Sequence, residues 1–344
     1  MRNFGLVWVG GRAAGPELES AQRARTLWEE IGTQVPDLGF RTNGSLTAVT
    51  TEHELAVASE AASRPDAPAR GHELLDPKEV RALNPALRGS ALLGGLWCER
   101  DAAVEPRTAQ LALQEALRAR ARGRYTFLGG REVREVVSSP SGGGAAVWDD
   151  TGALHEGDAV VLCTGAWLGG MVRALVPELP VRRVRLQMTQ TEPLDEPLTT
   201  SVADADSFRY YPAYAGPALD AMAAAQPQTP VAAAHKMQLL MVQRRDGSLT
   251  IGDTHEYEAP FPFDVDEAPY THLSEVAERL LGRPLPPIRR RWAGVYAQCT
   301  EQGRVVHRQE LPEHPGVWLV TGPGGRGMTC SPAIAEDTAN ALDW

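Results

Sequence analysis

The stretch that decides the fold lies at the end of the chain: Val317-Trp318-Leu319-Val320-Thr321, then Gly322-Pro323-Gly324-Gly325-Arg326-Gly327, then Met328 to Trp344. The first run predicts a buried strand, and the second has the form G-x-G-x-x-G. The third predicts a helix with Ser331 as N-cap and Pro332 in the first position. A glycine loop before a helix can bind anions, because the backbone approaches the ligand closely and the N–H groups of the first turn point at it.

This glycine motif occurs in an unusual position. In a dinucleotide-binding fold a further strand follows, with an acidic residue about 20 positions on. The sequence reaches Trp344 before such a strand. The motif is therefore either accidental or the closing loop of a cofactor site built mostly elsewhere.

Composition limits the class of protein. The chain has 344 residues and 43% hydrophobic content, which predicts two intertwined domains with a large core. Apolar runs of membrane-spanning length and a secretory signal are both lacking in the sequence, which predicts a cytoplasmic protein without a membrane partner. The formal net charge of -10 argues against a nucleic-acid partner. We expect a small-molecule partner, and the sequence leaves the oligomeric state open.

The cysteines predict neither a metal site nor a disulfide framework, because they are widely spaced and form no C-x-x-C pair. We interpret them as buried or neutral thiols; they are Cys98, Cys163, Cys299 and Cys330. The basic residues are almost all arginine, and Lys78 and Lys236 are the two lysines.

The organisation along the chain predicts two kinds of segment. Residues 16–31 form an amphipathic helix closed by Gly32, and residues 106–122 form a second helix with Leu117 inward. Residues 158–165 are an apolar run that ends in Thr164-Gly165, typical of a central parallel strand whose carboxyl end binds a ligand. Further strands are predicted at residues 125–128, 133–137 and 145–148.

Residues 181–300 have a different pattern, which predicts a mostly antiparallel sheet. Its strands are predicted at residues 184–191, 238–243 and 248–251, with a long loop near 213–234 and a helix near 272–281. By contrast, the opening Met1-Arg2-Asn3-Phe4-Gly5 indicates a loop rather than the strand, glycine loop and helix of a nucleotide-binding unit.

Three motifs carry a resemblance to a known family. Cys163-Thr164-Gly165-Ala166-Trp167, the terminal glycine loop and the Arg2-Asn3-Phe4-Gly5 opening resemble FAD-dependent oxidoreductases of the D-amino-acid oxidase superfamily, which includes glycine and sarcosine oxidases. The opening and the closing loop look closest to a bacterial subgroup associated with phosphonate catabolism. The resemblance covers essentially the whole chain. The family's first Rossmann unit is missing, so we expect Met1 to be an internal start.

The resemblance implies an α/β fold, α+β overall, in which a Rossmann-like FAD domain truncated at its N-terminus is interleaved with a mostly antiparallel substrate domain. The FAD domain would comprise residues 1–40, 90–178 and 300–344. The substrate domain would comprise residues 41–89 and 179–299.

The resemblance also implies a set of residues at the cofactor. Alternatives remain: Arg2 and Asn3 as a disordered terminus, Val133 as an ordinary strand residue, and Thr164-Gly165 as a tight turn without a ligand. For Trp167 we favour a packing role over a chemical one. The implied FAD-binding residues are Arg2, Asn3, Val133, Thr164, Gly165, Trp167, Gly322, Gly324, Gly325, Arg326, Gly327, Met328 and Thr329.

In the family, an amine substrate gives a hydride to the flavin, and oxygen or another acceptor takes the electrons. Backbone N–H groups of the terminal loop would stabilise negative charge that develops on the flavin edge. Tyr296 lies near the position where relatives place an arginine for the substrate carboxylate, so an ordinary α-amino acid is in doubt. Sarcosine oxidases attach flavin covalently through a cysteine near the position that Tyr296 occupies here. Cys299 lies three residues beyond that position, so we expect non-covalent FAD.

Other pocket candidates come from the second region. We predict substrate contacts from Tyr210, Tyr211, Tyr296 and Arg291, and catalytic roles for Tyr296 and His255. His255 would tune the protonation of the amine, since the neutral amine loses hydride readily. The alternative is a surface histidine without a role. Two functions compete: a flavoenzyme that oxidises an amine, and a non-catalytic remnant that cannot hold FAD.

Overall fold

The computed structural model describes residues 3–139 and 142–344. The helices are α1 Pro16–Gln34, α2 Glu52–Ala62, α3 Ala67–Arg70, α4 Pro77–Leu83, α5 Ala109–Arg120, α6 Met171–Leu175, α7 Asp206–Tyr210, α8 Pro217–Ala225, α9 Pro230–His235, α10 Glu267–Leu281 and α11 Gly327–Ala341. The strands are β1 Leu6–Val7, β2 Ser45–Val49, β3 His72–Leu75, β4 Gly94–Cys98, β5 Ala102–Ala103, β6 Val133–Ser138, β7 Ala145–Asp149, β8 Leu154–Gly157, β9 Val160–Leu162, β10 Val181–Pro193, β11 Ser201–Ala203, β12 Leu240–Gln243, β13 Ser248–Gly252, β14 Ile288–Cys299, β15 His307–Glu310 and β16 Val317–Thr321.

Local sequence explains several helix ends. The Thr51 side chain accepts a hydrogen bond from the Glu54 N–H, and the Glu54 carboxylate accepts one from the Thr51 N–H, so α2 starts with a complete capping box. Helix α10 ends where Gly282 adopts the left-handed conformation at φ 67°. Among the described residues, none of the helices is both long and apolar enough to cross a lipid bilayer.

A large sheet of eight strands organises the second region. Its order is β14-β10-β13-β12-β11-β2-β4-β3, and its neighbours are antiparallel apart from the parallel pair β11 and β2. This confirms the predicted mixed α/β class with a mostly antiparallel sheet. Two apolar cores flank the sheet: one includes Leu273 and Leu281 of α10, and the other includes Phe4 and Trp8 near the chain start.

Three smaller sheets complete the fold: β15-β16-β9, β6-β7-β8 and β1-β5. Strand β16 runs parallel to β9, with Leu319 opposite Leu162. A shared apolar core, which contains Leu162, Leu319 and Val136, joins the first two of these sheets. Because β9 and β16 are parallel, the segments that follow them leave from the same edge of their sheet.

Several expected element boundaries are wrong. Gly32 does not close α1, which continues to Gln34, because Phe40 packs where a side chain at Gly32 would stand; a Cβ there would lie 2.7 Å from Phe40 Cβ. Residues 125–128 form no strand, and Phe127 is 45% exposed beneath the Arg118 guanidinium. Leu117 is 40% exposed rather than inward on α5.

The topology corrects three further expectations. Strand β4 belongs to the eight-stranded sheet, although the predicted boundary at residue 90 assigns it to the other domain. The expected loop at 213–234 contains α8 and α9, because its prolines start helices and its alanines extend them. The described opening residues 3–5 form no strand, as expected, and β1 follows them and pairs with β5. Strand β9 lies at the end of its sheet in the described chain, not at the centre.

Candidate active site

The terminal loop, residues 322–327, begins with a sharp turn that a larger residue could not make. Gly322 has φ 75°, and its carbonyl accepts a hydrogen bond of 2.7 Å from the Cys299 N–H. A Cβ at Gly322 would lie 2.8 Å from that nitrogen. Gly324 also lies in the left-handed region, at φ 66°. The loop therefore turns tightly against the end of β14.

Helix α11 starts directly after this loop, at Gly327, rather than at the expected Ser331 and Pro332. Pro332 lies inside the helix and lacks the N–H that would bond the Met328 carbonyl. Trp28 replaces it, since its Nε1–H donates to that carbonyl over 3.0 Å. No side-chain cap occupies the start of α11, so the positive end of its dipole faces the loop.

The side chains of Arg326 and Thr329 hold the loop in place. Arg326 pairs with Glu17 over 2.9 Å and donates to the Val305 carbonyl. Thr329 Oγ1, in a residue only 1% exposed, accepts from the Trp8 N–H over 2.9 Å. Both side chains already make hydrogen bonds within the protein. The backbone N–H groups are therefore what the loop can offer a ligand.

The Thr164-Gly165 turn lies beside the terminal loop, as its position after β9 predicts. Thr321, the last residue of β16, donates from Oγ1 to the Gly165 carbonyl over 2.8 Å. Thr164 Oγ1 is buried and has no hydrogen-bond partner within the described chain. Trp167, for which packing was favoured over a chemical role, is 75% exposed and so packs little against the described chain.

Tyr210 and Tyr296 converge on the middle of the terminal loop. A Cβ built on Gly325 would lie 3.6 Å from each of their two hydroxyl oxygens. Tyr211 meets Tyr210 edge to face, with ring centres 5.0 Å apart. Burial is the main cause that raises the pKa of Tyr210 and of Tyr296, so both phenols stay protonated at neutral pH and can donate hydrogen bonds.

His255 belongs to the same cluster, and the alternative of a surface histidine is wrong. Its residue is 4% exposed, and its ring stacks on Tyr210 with centroids 4.2 Å apart. His255 Nδ1 lies 3.0 Å from the Lys236 carbonyl oxygen, and Nε2 lies 3.8 Å from Asp253 Oδ2. Because the carbonyl can only accept, Nδ1 carries the proton in that contact, and Nε2 is the ring nitrogen that faces Asp253.

Asp253 is a further member of the cluster. Its residue is 6% exposed, and Oδ1 has no hydrogen-bond partner in the part of the chain that the structure describes. Burial raises the pKa of this carboxyl group, and the nearby His255 opposes that effect. Its position directly after a strand end was the available sequence signal.

The structure does not bring every predicted site residue to this cluster. Arg291 and Tyr296 point to opposite faces of β14, and the Arg291 guanidinium pairs with Glu267 of α10 over 3.2 Å. Val133 opens β6 in a separate sheet. Asn3 accepts a hydrogen bond from the Gly5 N–H, whereas Arg2 lies outside the described residues.

Two other features lie apart from the tyrosine cluster. A cavity of ≈ 270 Å³ is lined by residues that include Glu54, Asp204 and His272, and it shares none with the cluster. Cys299, Glu301 and His307 bring possible metal ligand atoms within 4.8 Å of one another, a grouping that cysteine spacing did not predict. Arg304 already pairs with the Glu301 carboxylate over 3.5 Å, so a cation competes there with any metal.

A comparison with known proteins identifies the family. Residues 1–341 match the family model DAO, described as FAD dependent oxidoreductase. The chain belongs to this family of FAD-dependent oxidoreductases. Membership confirms the resemblance that the three motifs carry at the level of the DAO family.

Solved structures of the DAO fold resemble the whole chain. Glycine oxidase from Geobacillus kaustophilus is 21% identical with a TM-score of 0.72, and the alignment covers 99% of this chain and 83% of that one. L-α-glycerophosphate oxidase from Mycoplasma pneumoniae, solved with FAD bound, is 16% identical with a TM-score of 0.72 and coverages of 100% and 84%. At these identities the likeness establishes the fold.

A curated relative matches over a shorter segment. The tRNA 5-methylaminomethyl-2-thiouridine biosynthesis bifunctional protein MnmC of Maricaulis maris is 37% identical over 97 residues, which is 28% of this chain. The match spans 16% of that much longer protein.

Proposed function

We propose that the chain uses non-covalently bound FAD to oxidise the C–N bond of a small amine to an imine. This proposal rests on one observation: the hydroxyl groups of Tyr210 and Tyr296 both lie next to Gly325, beside the start of α11. An aromatic cluster with two hydroxyl donors faces a loop of backbone N–H groups. This arrangement suits a flat cofactor on the loop and a small polar substrate on the tyrosines.

The residues around the loop fit a flavin. Gly325 has no side chain, and a Cβ there would fill the space between the loop and the two hydroxyl groups. The loop amides and the positive end of α11 would hold the electron-rich pyrimidine edge, with Thr164 and Gly165 close by. When bound, the flavin supplies the acceptor for the substrate hydride.

Cys299 supports non-covalent binding. Its residue is 5% exposed, and its thiol lies 3.7 Å from Glu301 Oε2. Burial is the main cause that raises the pKa of this thiol, which reduces the fraction of reactive thiolate. A buried, protonated thiol is a poor partner for a bond to the flavin ring.

The substrate in this proposal is an amino-acid-like or aminoalkylphosphonate-like amine. Tyr296, rather than an arginine, faces Gly325, so the bidentate carboxylate clamp of ordinary amino-acid oxidases is replaced by a hydroxyl donor. The phosphonate assignment rests on the resemblance of the opening and the closing loop. Oxygen or another acceptor completes the cycle, and we predict a cytoplasmic enzyme.

The direct test is purification with added FAD, followed by a visible spectrum. We expect a yellow protein whose flavin is released by acid precipitation, as non-covalent binding requires. Anaerobic addition of an amine should then bleach the flavin, and peroxide or dye detection should identify the acceptor. A folded, colourless protein would support the non-catalytic remnant instead and overturn the proposal.

A further inference from the structure

Three side chains of types that bind metals meet near the end of β14. They are the Cys299 thiol, the Glu301 carboxylate and the His307 imidazole, and their ligand atoms all lie within 4.8 Å of one another. Two of the contacts converge on one oxygen, because Glu301 Oε2 is 3.7 Å from Cys299 Sγ and 3.5 Å from His307 Nδ1. Sulfur, nitrogen and oxygen therefore surround one small space.

These separations match those of ligands around a tetrahedral zinc ion. Zinc binds thiolate sulfur at about 2.3 Å and imidazole nitrogen or carboxylate oxygen at about 2.0–2.2 Å. With tetrahedral angles, these bond lengths place sulfur about 3.6 Å, and nitrogen about 3.4 Å, from the oxygen. The structure has 3.7 and 3.5 Å for the same pairs. The third pair, sulfur and nitrogen, lies within 4.8 Å and would close by at most about 1.2 Å.

The buried His307 ring gains little from its contacts with the protein. Its side chain is 7% exposed, and Nε2 has no hydrogen-bond partner among the residues that the structure describes. The Nδ1 contact with Glu301, at 3.5 Å, is long for a hydrogen bond between nitrogen and oxygen. Burial of a polar ring without good partners is costly, and a bond from Nδ1 to a metal would offset that cost.

Strands hold two of the three side chains in position. Cys299 is the last residue of β14, and its N–H donates to the Gly322 carbonyl over 2.7 Å. His307 is the first residue of β15 and pairs with Thr321 of β16. The thiol and the imidazole are therefore fixed by regular backbone structure on either side of residues 321 and 322. Glu301 lies in the segment between the two strands, which can adjust around an ion.

A cavity adjoins this group and gives an ion a path to it. The cavity has a volume of ≈ 250 Å³, and Cys299 and Glu301 line it together with Glu17, Arg304 and Arg326. This space can hold a water molecule as a fourth ligand. Arg326 pairs with Glu17 over 2.9 Å, so the charge of the Glu17 carboxylate is already balanced.

Charge and ligand chemistry favour zinc among the divalent cations. A thiolate, a carboxylate and a neutral imidazole together carry two negative charges, which balance one Zn²⁺ ion. Magnesium and calcium ions instead prefer oxygen ligands. Arg304 is the competing cation, since its Nε lies 3.5 Å from Glu301 Oε2, but its side chain is 55% exposed. An exposed ion pair of this kind is weak, so a metal ion can displace the guanidinium.

We infer that Cys299, Glu301 and His307 form a zinc-binding site at the base of the terminal loop, with water as the fourth ligand. Binding forms a bond between zinc and sulfur, breaks the S–H bond of Cys299 and releases that proton to the solvent. Bound zinc ties β14 to β15 beside Gly322 and stabilises the folded chain. The site needs neither flavin nor amine, so the inference is independent of the proposed oxidation.

Calorimetric titration of the full chain with zinc chloride, after treatment with a chelator, tests the inference. We expect one zinc ion per chain, bound at least about 100-fold more tightly than magnesium or calcium ions. Zinc affinity should rise with pH, because binding releases a proton. Cobalt(II) serves as a coloured probe of the same site. Its difference spectrum should show the charge-transfer band of a thiolate ligand, and Cys299→Ser should abolish that band.

Substitutions at the site should change zinc affinity in opposite directions. Cys299→Ser and His307→Gln each remove a ligand and should weaken zinc binding at least about 100-fold, since loss of a group that only supports a ligand costs about 10- to 100-fold. Arg304→Gln should instead tighten zinc binding about two- to fivefold, because it removes the competing cation. Misfolding does not produce tighter binding. Circular dichroism and urea unfolding with chelator present show whether each variant is folded.

Matched controls are Cys163→Ser and His53→Gln. Cys163 is an exposed cysteine, and His53 is an exposed histidine on α2. Both controls should bind zinc like the parent protein. Zinc should also raise the urea midpoint of the parent and the controls but not that of Cys299→Ser or His307→Gln.

Three results would each overturn the inference. The first is a parent protein that does not bind zinc. The second is zinc affinity that stays unchanged in both Cys299→Ser and His307→Gln, which would place the ion elsewhere. The third is zinc affinity that does not increase in Arg304→Gln, which would remove the Glu301 carboxylate from the site.

Discussion

Gly322 and Gly325 are three residues apart in one loop, yet the structure predicts opposite consequences for replacing each with alanine. At Gly325 the new Cβ would make only ordinary contacts of 3.6 Å with Tyr210 and Tyr296. We expect Gly325→Ala to change the free energy of unfolding by less than about 0.5 kcal/mol. The methyl group would occupy the space assigned to the ligand, which should weaken FAD binding roughly 5- to 150-fold, as expected for 1–3 kcal/mol of overpacking.

At Gly322 we expect the larger effect on the free energy of unfolding rather than on FAD binding. The residue has φ 75°, which costs an alanine about 1–2 kcal/mol, and its Cβ would lie 2.8 Å from the Cys299 nitrogen. Overpacking adds about 1–3 kcal/mol, so Gly322→Ala should lower the free energy of unfolding by roughly 2–5 kcal/mol. Any loss of FAD would then follow from the disturbed fold.

Urea unfolding and FAD titration of both variants measure these two effects independently. Unfolding should be followed by far-UV circular dichroism in protein stripped of FAD, so that ligand binding does not contribute to stability. FAD affinity should be measured by flavin fluorescence. A Gly325→Ala variant that binds FAD like the parent protein would refute the placement of the cofactor on this loop.

The remaining predictions concern three other side chains. Tyr296→Phe removes a hydroxyl donor that faces Gly325, so kcat/KM should fall about tenfold while FAD affinity stays the same. A fall in FAD affinity would show that this hydroxyl contacts the cofactor instead. Asp101→Ala should lower the free energy of unfolding by about 3 kcal/mol, because the carboxylate accepts hydrogen bonds from the Gly10 N–H and the Ser45 hydroxyl. A loss below about 1 kcal/mol would contradict this prediction. Burial lowers the pKa of His72 from 6.5 to about 4, so the unfolded chain binds a proton that the folded chain does not. Stability should therefore be full above about pH 6.5 and fall by roughly 3 kcal/mol as the pH drops to about 4, and His72→Gln should remove that component from urea-unfolding curves measured against pH.

Local signals predicted the parts of the fold that depend on neighbouring residues. The apolar run in β16, the glycines after it and the helix that follows are all visible in the sequence. The predicted element boundaries were wrong where a contact with a distant residue determines them. Helix α11 starts early: the Met328 carbonyl, to which Pro332 cannot donate, accepts from Trp28, about 300 residues away, and from the nearby Ser331 hydroxyl.

The candidate site shows the same division. Tyr210 was identifiable from a local cluster of tyrosines, Tyr296 from its motif position and His255 from its place after a strand end. Asp253, at the same strand end as His255, was given no specific role, since a charged residue in isolation gives no sign of what faces it. Arg291 lies five positions from Tyr296 on β14 and so points to the opposite face, where the structure pairs it with Glu267 of α10.

The sequence by itself determined the family and the chemical character of the terminal loop, because glycine spacing and helix polarity are local properties of the chain. Which side chains meet Gly325 depended on tertiary structure. Tyr210 of α7 and Tyr296 of β14 are far apart in the chain and come together there through the packing of distant elements, which is fixed by burial of whole sheet faces rather than by nearby residues.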